Sequence, residues 1–153
     1  MVGGLVLVRM TKYVLGFLFD PRLEHVVLIE KRRPGWQAGK HNGVGGKIEE
    51  GETPDQAMVR EFREETGVEI TTWRQYATLN SHAGDFQLNV FFAISADYDK
   101  VVSVTDEEIV VWYISELELW KDNIIPNVRW LIPMALAFTK GERASSFTIT
   151  ENY

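Results

Sequence analysis

Cysteine is missing from all 153 residues, which excludes disulfides and thiolate metal sites and fits a cytoplasmic protein. Basic tracts are missing as well. Sixteen Lys and Arg stand against 22 Asp and Glu, a net charge of −6, so a large nucleic acid is not an expected partner. No apolar run approaches the roughly 20 residues that cross a bilayer, so no membrane association is expected. Met1 to Met10 is apolar but far shorter, and it has neither the basic start nor the cleavage site of a signal peptide. It reads as an N-terminal extension over residues 1–11, either an upstream leader with Met10 as the natural start or an extra edge strand. Repeats and Gly/Pro-rich linkers are also lacking, so one domain over residues 1–153 is expected, as a monomer or a homodimer.

What is present is apolar and aromatic: 45% hydrophobic residues, with five Trp, five Tyr and eight Phe. That is the composition of a globular chain long enough to bury a core. Tyr13 to Phe19 is a short apolar run ended by Asp20-Pro21, which reads as a buried strand and turn. His25 to Glu30 repeats it. Val68 to Leu79 and Phe86 to Ser95 read as further strands around a loop from Asn80 to Asp85. Asp97 to Thr105 is a polar connection before a strand over Ile109 to Ile114. Ser115 is placed to cap a short acidic turn. A last helix opens within Ile124 to Pro133 and runs to about Thr139, with Pro133 disturbing its first turns and Gly141 as its stop. The fold class is α/β, a mixed sheet between helices.

The charge is concentrated in one place. Eight carboxylates fall between Glu49 and Glu69, although like charges at helical spacing repel. Thr53, Pro54 and Gln56 form an N-cap, a first-position proline and a capping box, and Gly67 supplies the C-terminal cap. The helix is therefore Pro54 to Thr66. At about 100° per residue, Glu61, Glu64 and Glu65 share one arc, with Met58, Val59, Phe62 and Thr66 on the next. Three carboxylates on one face suit a hard divalent cation such as Mg²⁺, with Mn²⁺ as the alternative. Arg60, four residues before Glu64, can orient that carboxylate. On charge alone, a solvated acidic face is an equal reading.

Two neighbouring stretches bear on that choice. Lys31 to Lys40 is a basic loop broken by Pro34 and Gly35 and carrying Lys31, Arg33 and Trp36. It is either solvated surface or the place where a polyphosphate and a stacked base would meet cations and an aromatic face. His41-Asn42-Gly43-Val44-Gly45-Gly46-Lys47 then leads into the acidic helix.

The spacing of Gly46, Glu52, Arg60, Glu61, Phe62, Glu64, Glu65, Gly67 and Val68 resembles the Nudix box, Gly-x5-Glu-x7-Arg-Glu-U-x-Glu-Glu-x-Gly-U, and fills every defined position. The resemblance implies the Nudix α/β/α sandwich and Mg²⁺-dependent cleavage of a nucleoside diphosphate linked to another group. It implies a metal shell of Glu61, Glu64 and Glu65 completed by the Gly45 carbonyl and Glu107, with Glu108 as the alternative to Glu107. The general base would be one of Glu64, Glu65 or Glu107, with Glu52 anchoring the loop and Arg60 orienting a glutamate.

Outside the box, the chain is similar to the MutT-type group, which hydrolyses oxidised nucleoside triphosphates such as 8-oxo-dGTP to monophosphate and pyrophosphate. Asn42 and Lys47 match that group's lead-in, where the asparagine touches nucleotide, while His41 replaces its usual tryptophan. Asn127, after Pro126, matches a residue that hydrogen-bonds the purine edge; alternatively it caps the last helix. Val128 replaces a paired aspartate of some relatives. Markers of ADP-ribose, diadenosine polyphosphate, coenzyme A and NADH hydrolases are absent. The alternatives are another nucleotide substrate (dinucleoside polyphosphates, ADP-ribose or nucleotide sugars), and a non-catalytic nucleotide sensor.

Overall fold

A computed structural model describes residues 9–141 and 147–151. Residues 1–8, which hold most of the expected N-terminal extension, lie outside the described residues. The fold is built on β1 (Thr11–Phe19), whose interior is apolar on both sides because both of its faces are covered. Val14 and Leu18 point to one layer, Leu15, Phe17 and Phe19 to the other. Thr11, which the sequence reading counted with the possible extension, belongs to this strand, paired with Phe86. Gly16 is required by close packing: a Cβ there would come within 2.6 Å of Met58 Cε and 2.9 Å of Trp73.

The chain continues through β2 (His25–Glu30), β3 (His41–Asn42), β4 (Val44–Lys47), α1 (Pro54–Thr66), β5 (Arg74–Ser81), β6 (Phe86–Ile94), β7 (Ile109–Tyr113), α2 (Val128–Thr139) and β8 (Phe147–Glu151). The strands form one mixed sheet in the order β3-β2-β1-β6-β5-β8, with β4 also on β1 and β7 on β2. The β1–β6 and β5–β8 pairs are parallel, and the others are antiparallel. α1 covers one face through Ala57, Met58 and Phe62, packed with Trp73, Val44 and Phe91. α2 covers the other through Val128, Leu131, Ile132, Ala135 and Phe138. The α/β/α layering expected from the sequence is present.

Several details differ from the sequence reading. Residues 68–73 are not strand; they leave α1 irregularly and tuck Ile70 and Trp73 beneath it, so β5 starts only at Arg74. A bulge between Gln75 and Ala77 then leaves Tyr76 to reach α2, where its hydroxyl donates to the Leu131 carbonyl at 2.7 Å. β5 also continues to Ser81, so the hairpin turn is shorter than Asn80 to Asp85. Ser115 lies inside a 3₁₀ turn and does not cap it.

At the last helix, α2 starts at Val128 and is not broken by Pro133, which faces solvent, where water can meet the carbonyl its missing N–H leaves behind. The parallel edge strand β8, made of Phe147-Thr-Ile-Thr-Glu151, was not expected.

Candidate active site

α1 forms as its local signals dictate. Thr53 Oγ1 accepts the Gln56 N–H, Gln56 returns the bond to the Thr53 N–H, and Gly67 ends the helix at φ 76°. These caps set which residues face the loop from β4. Loop and helix come close at Gly46: a Cβ there would fall 2.5 Å from the Glu61 carboxylate. Glu61 is thereby half-buried against backbone. Burial pushes its carboxyl up, Arg60 pulls it down, and Glu64 and Glu65 push it up again.

Arg60 is the hub. Its Nε and Nη2 grip Glu52 at 2.7 and 2.8 Å. Its Nη1 donates to Glu61 at 2.8 Å and to Glu64 at 3.2 Å, and Nη2 also reaches the Lys47 carbonyl at 2.9 Å. Glu52 in turn accepts the Glu49 N–H, and the Arg60 bond holds its carboxyl below the usual range. One guanidinium therefore ties the loop to two carboxylates of the helix.

Glu65 points away from this hub, to Thr105, whose hydroxyl donates to it at 2.9 Å. Glu107 is buried and accepts from Lys31 Nζ at 3.1 Å and the Arg32 N–H at 2.7 Å. Arg33 pairs with Asp106. Two of the cations expected to face a polyphosphate are thus paired with the acidic turn that carries Glu107. Trp36 is 60% exposed. Asn42 accepts its own Gly43 N–H at 2.8 Å. The Lys47 side chain is exposed. Asn127 is half-buried at the start of α2 and makes no side-chain capping bond, so the capping alternative does not hold. Gly45 lies in β4 pressed on β1, where a Cβ would strike the Val14 carbonyl at 1.9 Å.

The donor set suits a hard divalent cation: oxygen ligands only, with a half-buried carboxylate crowded by two like charges that a cation would relieve. Among the described residues no three acidic or imidazole side chains converge closely enough to hold a metal as they stand. The three carboxylates are divided between two partners: Arg60 takes Glu61 and Glu64 while Glu65 turns to Thr105.

The sequence reading gave Thr105 and Asp106 no part in the site. A threonine in a turn carries little signal by itself, whereas Asp106 stands beside Glu107 in plain sight. His41 proves to be a packing residue, 4.6 Å from the Trp112 ring centre and donating from Nδ1 to the Asn123 carbonyl at 3.0 Å. A cleft of about 400 Å³ lined by His41, Trp112, Tyr113, Glu116 and Trp120 lies beside β7. It includes none of the acidic-helix residues.

Comparison with known proteins gives the family. Residues 10–149 match the NUDIX domain, and the chain belongs to the Nudix family of hydrolases. It is 32% identical over 105 residues to the oxidized purine nucleoside triphosphate hydrolase of Danio rerio, covering 65% of this chain and 67% of that one. The Mus musculus protein of the same name is 30% identical over 117 residues, with 72% and 73% covered. A MutT structure from work on Aliivibrio salmonicida and Vibrio cholerae superposes with a TM-score of 0.69 at 21% identity, over 85% of this chain and 99% of that one. It shares the fold.

Proposed function

We propose that this protein is a Mg²⁺-dependent pyrophosphohydrolase acting on an oxidised purine nucleoside triphosphate, 8-oxo-dGTP above all, and releasing the nucleoside monophosphate and pyrophosphate. The observation that carries the reading is the Arg60 hub. It locks Glu52 to the loop and holds Glu61 and Glu64 on one helical face. Hydrolases of oxidised purine nucleoside triphosphates among the relatives support the substrate class.

In this reading Glu61, Glu64 and Glu65 hold the metal, with the Gly45 carbonyl and Glu107 completing its shell. Mn²⁺ can take the place of Mg²⁺. A cation held there would polarise phosphate oxygens and lower the pKa of a water. The chain's own groups do the rest. One of Glu64, Glu65 or Glu107 accepts the proton of the attacking water as one phosphoanhydride bond breaks. Lys31, Arg33 and Lys47 draw the triphosphate in, the first two exchanging Glu107 and Asp106 for phosphate. Trp36 offers an exposed face for the base, and Asn42 and Asn127 supply hydrogen bonds to the nucleotide. The whole chain works as one domain, and the absence of cysteine fits a cytoplasmic setting.

The test is a panel of nucleotides incubated with Mg²⁺ and analysed for products. Monophosphate plus pyrophosphate, fastest from 8-oxo-dGTP, is the expected result. A preference for a dinucleoside polyphosphate, ADP-ribose or a nucleotide sugar would overturn the substrate assignment. Tight nucleotide binding with no turnover would overturn catalysis itself.

A further inference from the structure

Between α1 and the basic loop runs a short segment, residues 102–108, that touches both. The Val102 N–H donates to the Thr66 carbonyl at 3.0 Å and the Val104 N–H to the Glu65 carbonyl at 3.3 Å, so the segment closes the C-terminal turn of α1. At Thr105 the contact passes from backbone to side chain. Its Oγ1 donates to Glu65 Oε2 at 2.9 Å and accepts the Glu107 N–H at 3.2 Å. Two residues further on, the buried Glu107 carboxylate accepts from Lys31 Nζ and the Arg32 N–H, and the Glu108 carbonyl accepts the Glu30 N–H at 2.8 Å. One hydroxyl thus stands between two carboxylates, bonded to the side chain of one and the backbone of the other.

We propose that Thr105 is a positioning residue for the divalent-cation site. Its hydroxyl selects which oxygen of Glu65 is left to face the cation and fixes the separation of Glu65 from Glu107. The proposal rests on the reading of Glu65 and Glu107 as metal ligands.

Three physical points carry it. A hydroxyl has one hydrogen; the Glu107 N–H can only donate to it and an ionised carboxylate can only accept from it, so that hydrogen goes to Glu65 and the bond is directional. A bond to a carboxylate is charge-assisted and stronger than a neutral one. Glu65 needs it, because Arg60, which holds Glu61 and Glu64, makes no bond to Glu65. Carboxylates that bind metals are commonly held by such partners, whose loss costs about 10- to 100-fold in metal affinity or activity. Threonine also suits the task because its branched Cβ restricts χ1 and pre-aims the hydroxyl.

The test measures Mn²⁺ binding to the full chain by electron paramagnetic resonance, alongside the Mg²⁺ concentration that gives half-maximal turnover. Thr105→Val keeps the shape and removes both bonds; Thr105→Ala serves if valine does not fold. Thr105→Ser keeps the hydroxyl. The expected result is Mn²⁺ affinity weakened about 10-fold or more in Thr105→Val, a matching rise in the Mg²⁺ requirement, and recovery to within about twofold in Thr105→Ser. In a Glu65→Gln background, Thr105→Val should add nothing. If Glu65→Gln weakens Mn²⁺ binding while Thr105→Val leaves it unchanged, Thr105 does not position the site and the metal assignment stands. If Glu65→Gln itself binds Mn²⁺ as the wild type does, the assignment of Glu65 falls, and this proposal with it. A loss of thermal stability in Thr105→Val with unchanged Mn²⁺ affinity also overturns it, because the hydroxyl would then only brace the turn.

Discussion

Arg60 and Glu52 meet as a two-pronged pair across the loop that precedes α1, Nε to Oε2 at 2.7 Å and Nη2 to Oε1 at 2.8 Å. Both side chains are largely removed from solvent, and the same guanidinium also serves Glu61 and Glu64. Lysine keeps the charge but has no planar fork. Arg60→Lys should therefore lower kcat/KM by about 10- to 100-fold while the chain still folds. Steady-state kinetics with thermal melting checks this; a variant with wild-type kcat/KM would remove Arg60 from the site's organisation.

Gly46 leaves the space that the Glu61 carboxylate fills. Gly46→Ala puts a methyl where those oxygens lie, so Glu61 must turn away or the β4 loop must move. Turnover should fall by at least 10-fold, in the range seen when groups that orient metal ligands are lost, with a stability cost of about 1–3 kcal/mol from overpacking. Kinetics and denaturant melts report the two effects separately.

These two relationships also mark what could be read from the chain alone. The bounds of α1 were legible because Thr53, Pro54, Gln56 and Gly67 are local signals, and helix termini are decided locally. The acidic face followed from spacing on that helix. The pairing of Lys31 with Glu107 and of Arg33 with Asp106 spans more than 70 residues of sequence, and no local pattern encodes it. The edge strand β8 was missed for a related reason: it pairs in parallel with β5, far away in sequence, and parallel pairing needs a long crossover rather than a turn signal. Residues 68–73 misled through their apolar content, which packs beneath α1 and not into the sheet.

Asp20 closes the turn after β1, and its behaviour with pH follows from its bonds. Burial raises its carboxyl pKa, but the N–H groups of His25, Glu24 and Arg22 together bring it below the ordinary 3.8. A pKa lowered by folding means that the ionised form stabilises the protein above about pH 4 and that this contribution is lost as pH falls through the folded-state value. Asp20→Asn should cost about 1–3 kcal/mol at neutral pH, and the difference from wild type should shrink below pH 3.8. Denaturant melts across that range test the sign.

Asn127 stands half-buried at the mouth of α2 without capping it. If it reads the purine edge, Asn127→Ala should reduce the preference for 8-oxo-dGTP over dGTP by about 10-fold or more, as lost hydrogen bonds to a base do, and change the rate on an unselective nucleotide less. Competition between the two substrates gives the ratio directly. An equal loss on every base would remove Asn127 from base recognition.

Glu64 is largely exposed on α1, so its substitution by glutamine should change stability by no more than about 0.5 kcal/mol. The measurement that bears most directly on the whole account is Mg²⁺-dependent release of pyrophosphate from 8-oxo-dGTP by wild type and Glu64→Gln, with thermal melting of both. The account predicts monophosphate and pyrophosphate from wild type, and a rate in the variant lower by at least about 100-fold at an unchanged melting temperature. Undiminished pyrophosphate release by the variant would contradict it.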